Sequence, residues 1–293
     1  MKTTPLGENT EVPYYPEQGT QVSDDAVYSL LPEGLNSEDA RVLFVHAHPD
    51  DESTSTGATM GHLAAAGAQV SLLTATRGEM GEVIPEDLKH LETWHPGTTD
   101  RGVGLGRVRE QELTEALEVL GVKHHEYLGQ GSAHVEGAPE LYRDSGMAWG
   151  ADGRAIANPD AADDCLTKLS AEAQAQAVAQ HIRTLEPQVV VTYDNGGGYG
   201  HPDHVRTHEI VVRAFELLGA DAPALLWGLE GDFDAQDARV QAVIRGDHSR
   251  KREAMRAHAT QVIIISDDIF EFSNRVPQKI SATETYRLLA GKG

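Results

Sequence analysis

The chain of 293 residues carries a single cysteine, Cys165. No disulfide can form within it, and a reducing compartment is the expected setting. Cys165 follows Asp163 and Asp164, whose charge opposes thiolate formation, so it is read as an incidental thiol. Basic residues are also scarce: 24 Lys and Arg stand against 46 Asp and Glu, a formal net charge of −22. That balance argues against a nucleic-acid partner, which calls for a basic face, and fits a solvated acidic surface. No apolar run reaches the roughly 20 residues of a transmembrane helix. No apolar stretch follows Met1-Lys2-Thr3-Thr4-Pro5 either. Neither a membrane partner nor a signal peptide is therefore expected, and the location is expected to be cytoplasmic. Repeats and low-complexity tracts are absent, so nothing divides the chain into two large domains.

Residues 1–40 contain Pro5, Pro13, Pro16 and Pro32 with little periodicity and are expected to form an irregular extension. Residues 41–293 are expected to form a single α/β domain. Its first strand is the continuous apolar run Val42–Val45, of the kind buried on both faces in a parallel sheet. A helix over 57–66, a strand over 70–75, a helix over 107–120 stopped by Gly121, and a strand over 124–128 follow. Then come a helix over 170–185 capped by Ser170, a strand over 189–193, a helix over 203–218, strands over 224–229 and 262–266, and a helix over 249–258. A terminal helix is expected over 282–290. The alternation predicts a doubly wound, mostly parallel, Rossmann-like sheet. Two long irregular segments, 77–106 and 129–166, should leave from the carboxyl edge of that sheet and wall a pocket.

Two short motifs stand at that edge. Ala47-His48-Pro49-Asp50-Asp51-Glu52 follows the first strand, and Gly200-His201-Pro202-Asp203-His204 follows the strand at 189–193. Imidazole and carboxylate are divalent-metal ligands, and a catalytic zinc takes three such groups and keeps one position open. His48, Asp51 and His204 supply such a set, one metal per chain. The positive charge they leave on the metal would bring the pKa of a bound water toward about 7. Asp50, free of ligation, is the candidate general base. His201, if protonated, and Tyr199 are candidates to stabilise an oxyanion, with Asp203 orienting His201. Glu52 is expected to cap the next helix or to hold a hydrogen bond behind the ligands. The run Gly196-Gly197-Gly198 lacks the Lys-Ser/Thr of a phosphate loop.

These residues resemble the LmbE/PIG-L family of metal-dependent deacetylases that act on N-acetylglucosaminyl compounds. Thr76 through Ile84, Arg109 with Glu112-Leu113-Thr114, and Tyr142 through Met147 extend the resemblance to one branch, the deacetylases of mycothiol biosynthesis. The resemblance covers most of the chain from about Arg41 onward. It implies zinc at His48, Asp51 and His204, with iron(II) also able to occupy the site, and Asp50 as base. It further implies electrophilic help from His201 and Tyr199, and Arg109 and Asp144 gripping hydroxyls of an amino-sugar inositol substrate. The implied reaction is loss of acetate from N-acetylglucosaminyl-inositol. The alternative is a sister branch of mycothiol S-conjugate amidases, or another deacetylase of the family. That amidase branch carries a lysine where Thr56 stands here, which favours the deacetylase.

Overall fold

The computed structural model describes residues 22–150, 155–229 and 240–291. Its strands are β1 (Val22–Val27), β2 (Arg41–His46), β3 (Gln69–Thr74), β4 (His124–Tyr127), β5 (Met147–Trp149), β6 (Ala155–Ala157) and β7 (Val189–Tyr193). They continue with β8 (Leu225–Leu229), β9 (Val240–Arg245), β10 (Ile263–Ile264), β11 (Ile269–Glu271), β12 (Pro277–Lys279) and β13 (Thr283–Gly291). The helices are α1 (Asp51–Ala65), α2 (Val103–Leu120), α3 (Ala171–Leu185), the single distorted turn α4 (Gly197–Gly200), α5 (Pro202–Leu218) and α6 (His248–Ala257).

Eight strands form one sheet in the order β1-β9-β13-β8-β7-β2-β3-β4. All its pairings are parallel except those of β13, which runs antiparallel to β8 and β9. Strand alternation sends neighbouring residues to opposite faces. Val42 and Phe44 of β2 pack with Met60, Leu113, Leu117 and Ala254 of α1, α2 and α6. Leu43 and Val45 pack with Val178 and Ile182 of α3 and Val211 and Ala214 of α5. A strand covered on both sides must be apolar throughout, which is why β2 and β7 read as unbroken hydrophobic runs.

Caps fix the helix ends. The Ser170 hydroxyl accepts from Ala173 N at the start of α3, and Gly121 closes α2 at φ 79°, a conformation that favours glycine. Two helices begin earlier than their periodicity predicts. α1 starts at Asp51, so the first motif is already its opening turn. α2 starts at Val103, because Gly104 and Gly106 weaken the local helix signal while Gly106 lets Arg77 and Glu79 pack closely on the helix.

Three expectations need correction. Residues 22–27, expected to be irregular, pair with β9 as β1, and the segment after it docks through Trp227 Nε1, which donates to the buried Leu30 carbonyl at 3.0 Å. The expected terminal helix over 282–290 is strand β13. Thr283, Thr285 and Tyr286 suit a strand, and β8 and β9 each offer it an open edge, so tertiary pairing overrides the helical look of Leu288-Leu289-Ala290. The run at 262–266 does not join the main sheet. β10 lies in a small antiparallel sheet with β11 and β12, over a cluster of Met255, Val262, Phe270 and Ile280.

Candidate active site

The chain builds β2, β3 and β4 to one side and then returns to place β7 and β8 on the other. The switch point is the crevice between the carboxyl ends of β2 and β7, where open α/β sheets hold their ligands. The first motif leaves β2 there. The second leaves β7 and enters α5, with Pro202 in the first turn and His201 as its cap.

The crevice brings His48, Asp51 and His204 together. His48 Nδ1 is 3.3 Å from Asp51 Oδ2, His204 Nε2 is 3.3 Å from Asp51 Oδ1, and the two ring nitrogens are 3.3 Å apart. Ligand atoms at the corners of a tetrahedron are separated by this amount when each lies about 2.0–2.1 Å from the centre. All three residues are buried. His201 adds a further imidazole, its ring centroid 4.7 Å from that of His48 and 4.9 Å from that of His204. Within the cluster, His48, His201 and His204 form a group that could hold a metal ion. Its electrostatics agree: burial opposes a charge on His48, yet Asp144, Asp203 and Asp51 outweigh burial and hold its pKa well above the ordinary value. The surrounding carboxylates thus demand a cation, and a proton meets that demand when no metal does. Burial alone would raise the Asp51 carboxyl, but His204 and His48 keep it well below the carboxylate range.

Other side chains hold these groups in place. His48 Nε2 lies 3.2 Å from Asp203 Oδ2, which also accepts from Ser145 N at 2.9 Å. Asp203 therefore orients His48, not His201 as expected from its place in the motif. His201 is fixed by backbone instead. Its Nδ1 accepts from Asp203 N at 3.1 Å, which leaves the proton of a neutral ring on Nε2. Burial and the neighbouring His48 and His204 push its pKa well below the ordinary value, which favours the neutral ring over the protonated form considered from sequence. Tyr193, the last residue of β7, donates to Asp51 Oδ2 at 2.7 Å, accepts from Ala47 N at 2.8 Å and stacks on His204 with 4.2 Å between centroids. Sequence reasoning treated Tyr193 only as a strand residue. Its position at a carboxyl strand end was the available signal.

Asp50 sits at φ 113°, a conformation unusual for a residue with a side chain. Both flanks of its turn are gripped from α6 and the turn after it. Gln261 Nε2 donates to Pro49 O at 2.7 Å. Glu52 accepts from Asp50 N at 3.0 Å through Oε2, and its Oε1 is 2.7 Å from His258 Nε2. Glu52 thus acts behind the ligands, one of the two roles expected for it, and His258 is a contributor that spacing could not show. The Asp50 carboxyl is pushed up to about 8 by burial and by the charge of Asp51, against the opposing pull of His258 and Arg109.

The two long segments meet over this crevice. Asp144 Oδ2 accepts from Met80 N at 3.2 Å, Asp144 N donates to Glu79 Oε2 at 3.1 Å, and Asp144 Oδ1 is 3.8 Å from His48 Nε2. Tyr199 stands at the rim, exposed, edge-on to His201 and His204. Arg109 is placed differently from its expected role. It is buried, and its terminal nitrogens donate to the carbonyls of Gly78 and Glu82, so it pins the first loop to α2.

The histidine–carboxylate cluster thus stands at the switch point of a mostly parallel α/β sheet, on the turns and first helical residues that follow β2 and β7. The profile of PIG-L, described as GlcNAc-PI de-N-acetylase, matches residues 43–215, and the chain belongs to that family. A protein of Kineococcus radiotolerans named 1D-myo-inositol 2-acetamido-2-deoxy-alpha-D-glucopyranoside deacetylase is 40% identical, covering 94% of this chain and 86% of its own. Among solved structures, the N,N′-diacetylchitobiose deacetylase of Pyrococcus horikoshii shares the fold at TM-score 0.51 and 20% identity, over 75% of this chain and 70% of its own. The 4-carboxy-2-hydroxymuconate hydratase of Pseudomonas putida shares it at TM-score 0.54 and 15% identity, over 87% and 98%. Two different reactions on one fold leave the choice of chemistry to the site.

Proposed function

We propose that this protein removes the acetyl group of 1D-myo-inositol 2-acetamido-2-deoxy-α-D-glucopyranoside, releasing acetate and glucosaminyl-inositol in mycothiol biosynthesis. The observation that carries this reading is the 3.3 Å triangle of His48, Asp51 and His204 at the switch point, in a chain 40% identical to a deacetylase of that substrate. Those three residues would hold one divalent cation, zinc or iron(II). A cation there supplies positive charge that acidifies water and polarises a carbonyl.

The protein's own groups do the rest. Asp50 takes the proton of the water that attacks the acetamide carbon. It returns that proton to the nitrogen as the carbon–nitrogen bond breaks, and a carboxyl poised near neutrality suits both steps. His201 donates Nε2–H to the carbonyl oxygen as negative charge gathers on it, a role for a neutral imidazole. Tyr199 adds its hydroxyl from the rim. Asp203 and Tyr193 keep His48 and Asp51 in their ligating orientation. Each Asp144 oxygen accepts one backbone N–H, and a second lone pair on each serves a sugar hydroxyl. Arg109 contributes by holding the loop that carries Met80.

The test is acetate release from N-acetylglucosaminyl-inositol by protein loaded with one equivalent of zinc, without oxygen, and with a mycothiol conjugate in parallel. A higher kcat/KM on the small sugar is expected, with Asp50→Asn binding metal normally and losing about 10²–10⁴ in kcat. Cleavage of the conjugate alone, or normal turnover by Asp50→Asn, would overturn the substrate or the base respectively.

A further inference from the structure

A second histidine–carboxylate cluster lies away from the crevice, on the edge strand β4. His124 and Glu126 are two apart on that strand and so face the same side, toward α3, where the buried His181 meets them. His124 Nε2 is 3.2 Å from Glu126 Oε1, and His181 Nδ1 is 3.5 Å from Glu126 Oε2. One ligand atom from each residue lies within 4.8 Å of the other two. The imidazoles are stacked, 5.8 Å between centroids and 24° between planes.

Two observations mark this as more than a surface ion pair. Nε2 of His181 is buried without a hydrogen-bond partner, and the buried Nε2 of His124 has only the Glu126 carboxylate beside it. Buried polar atoms are nearly always satisfied, and an orphaned one calls for a bound water or ion. The carboxylate between them is held rigidly. Glu126 Oε2 accepts from Ser132 N at 2.8 Å and Ala133 N at 3.2 Å, and Ser132 Oγ is 2.8 Å from His181 Nδ1. A carboxylate and an imidazole fixed by groups behind them are the usual makings of a metal site. A cleft of about 180 Å³, lined by Arg41, Ser71, Lys123, His124 and Leu185 among others, reaches His124 from solvent.

We propose that His124, Glu126 and His181 form a second divalent-metal site, for a zinc-class ion, that clamps α3 to strand β4. Two imidazoles and one carboxylate with a solvent position suit a borderline ion of that kind. The cations Arg41 and Lys123 on the same cleft oppose a merely electrostatic attraction, so occupancy depends on direct coordination. The site shares no residue with the crevice and takes no part in the reaction proposed above.

The test is metal stoichiometry of the full chain, stripped of metal and titrated with Zn²⁺ by calorimetry. Two equivalents are expected for the wild type, and one each for His124→Ala and His48→Ala. His124→Ala is the informative change because His124 is partly exposed and its loss leaves the core intact. Zinc beyond one equivalent should raise the Tm of the wild type and leave that of His124→Ala unmoved, by binding only the folded state. Glu126→Gln, which keeps an acceptor for Ser132 and Ala133, should also bind one. One equivalent in the wild type and in His124→Ala would overturn the second site while leaving the crevice intact. Two equivalents retained in His48→Ala would instead remove the crevice ligand.

Discussion

At the residue scale, the telling side chain is Asp203. It is not itself among the proposed ligands, yet its Oδ2 faces His48 Nε2. A carboxylate there can only accept, so Asp203 holds the His48 proton on Nε2 and leaves Nδ1 as the nitrogen that would ligate a metal beside Asp51 and His204. An asparagine has the same shape but can offer N–H instead, which would drive the His48 proton onto Nδ1. Asp203→Asn is therefore expected to weaken metal binding about 10–100-fold, read by competition with a chelator, with little change in Tm for the metal-free protein. An unchanged affinity would mean that backbone alone sets the His48 tautomer.

At the scale of elements, α6 is the brace of the site. Lys251 and Glu284 of β13 form a buried pair, Nζ to Oε1 2.8 Å. Glu284 also accepts from Ala58 N and Thr59 N inside α1. The Tyr286 hydroxyl donates to Thr59 Oγ1 at 2.8 Å. One carboxylate thus ties β13 and α6 to the helix that opens with Asp51, and the turn after α6 grips Pro49 and Glu52. Lys251→Met should destabilise the fold by about 3–5 kcal/mol, because it strands a buried carboxylate. Adding Glu284→Gln should restore part of that loss. Equilibrium unfolding in urea measures both, and a single-variant loss of under about 1 kcal/mol would place the pair in the class of solvent-screened bridges.

Over the whole molecule, acid should act before general charge repulsion does. Burial pushes His125 and His181 down to about 4 from 6.5. The unfolded chain therefore binds more protons than the folded one between those values. Their contribution is full above about pH 6.5 and is lost as pH falls through about 4, at a slope of up to about 1.4 kcal/mol per pH unit for each histidine. The metal-free protein should lose unfolding free energy over this window, and His125→Gln should flatten the loss. Equal slopes for the two proteins would show that His125 binds its proton equally well in the folded and unfolded chain.

The sequence by itself determined the features that depend on near neighbours. A buried strand reads as an unbroken apolar run, so β2 and β7 were legible. Pro49 and the three-residue spacing of His48 and Asp51 confine two candidate ligands to one turn, and Ser170 and Gly121 mark helix ends through local hydrogen bonds. Tertiary structure decided what depends on who meets whom. Only the adjacency of β2 and β7 carries His204 to His48, 156 residues away. Only the folding of α6 beneath the first motif brings His258 to Glu52, 206 residues away. Asp203 turned to His48 because Asp203 N, not its carboxylate, meets His201. Residues 283–291 became a strand because β8 and β9 left edges to be paired, and the hydrogen bonds of a sheet, unlike those of a helix, are made with distant parts of the chain.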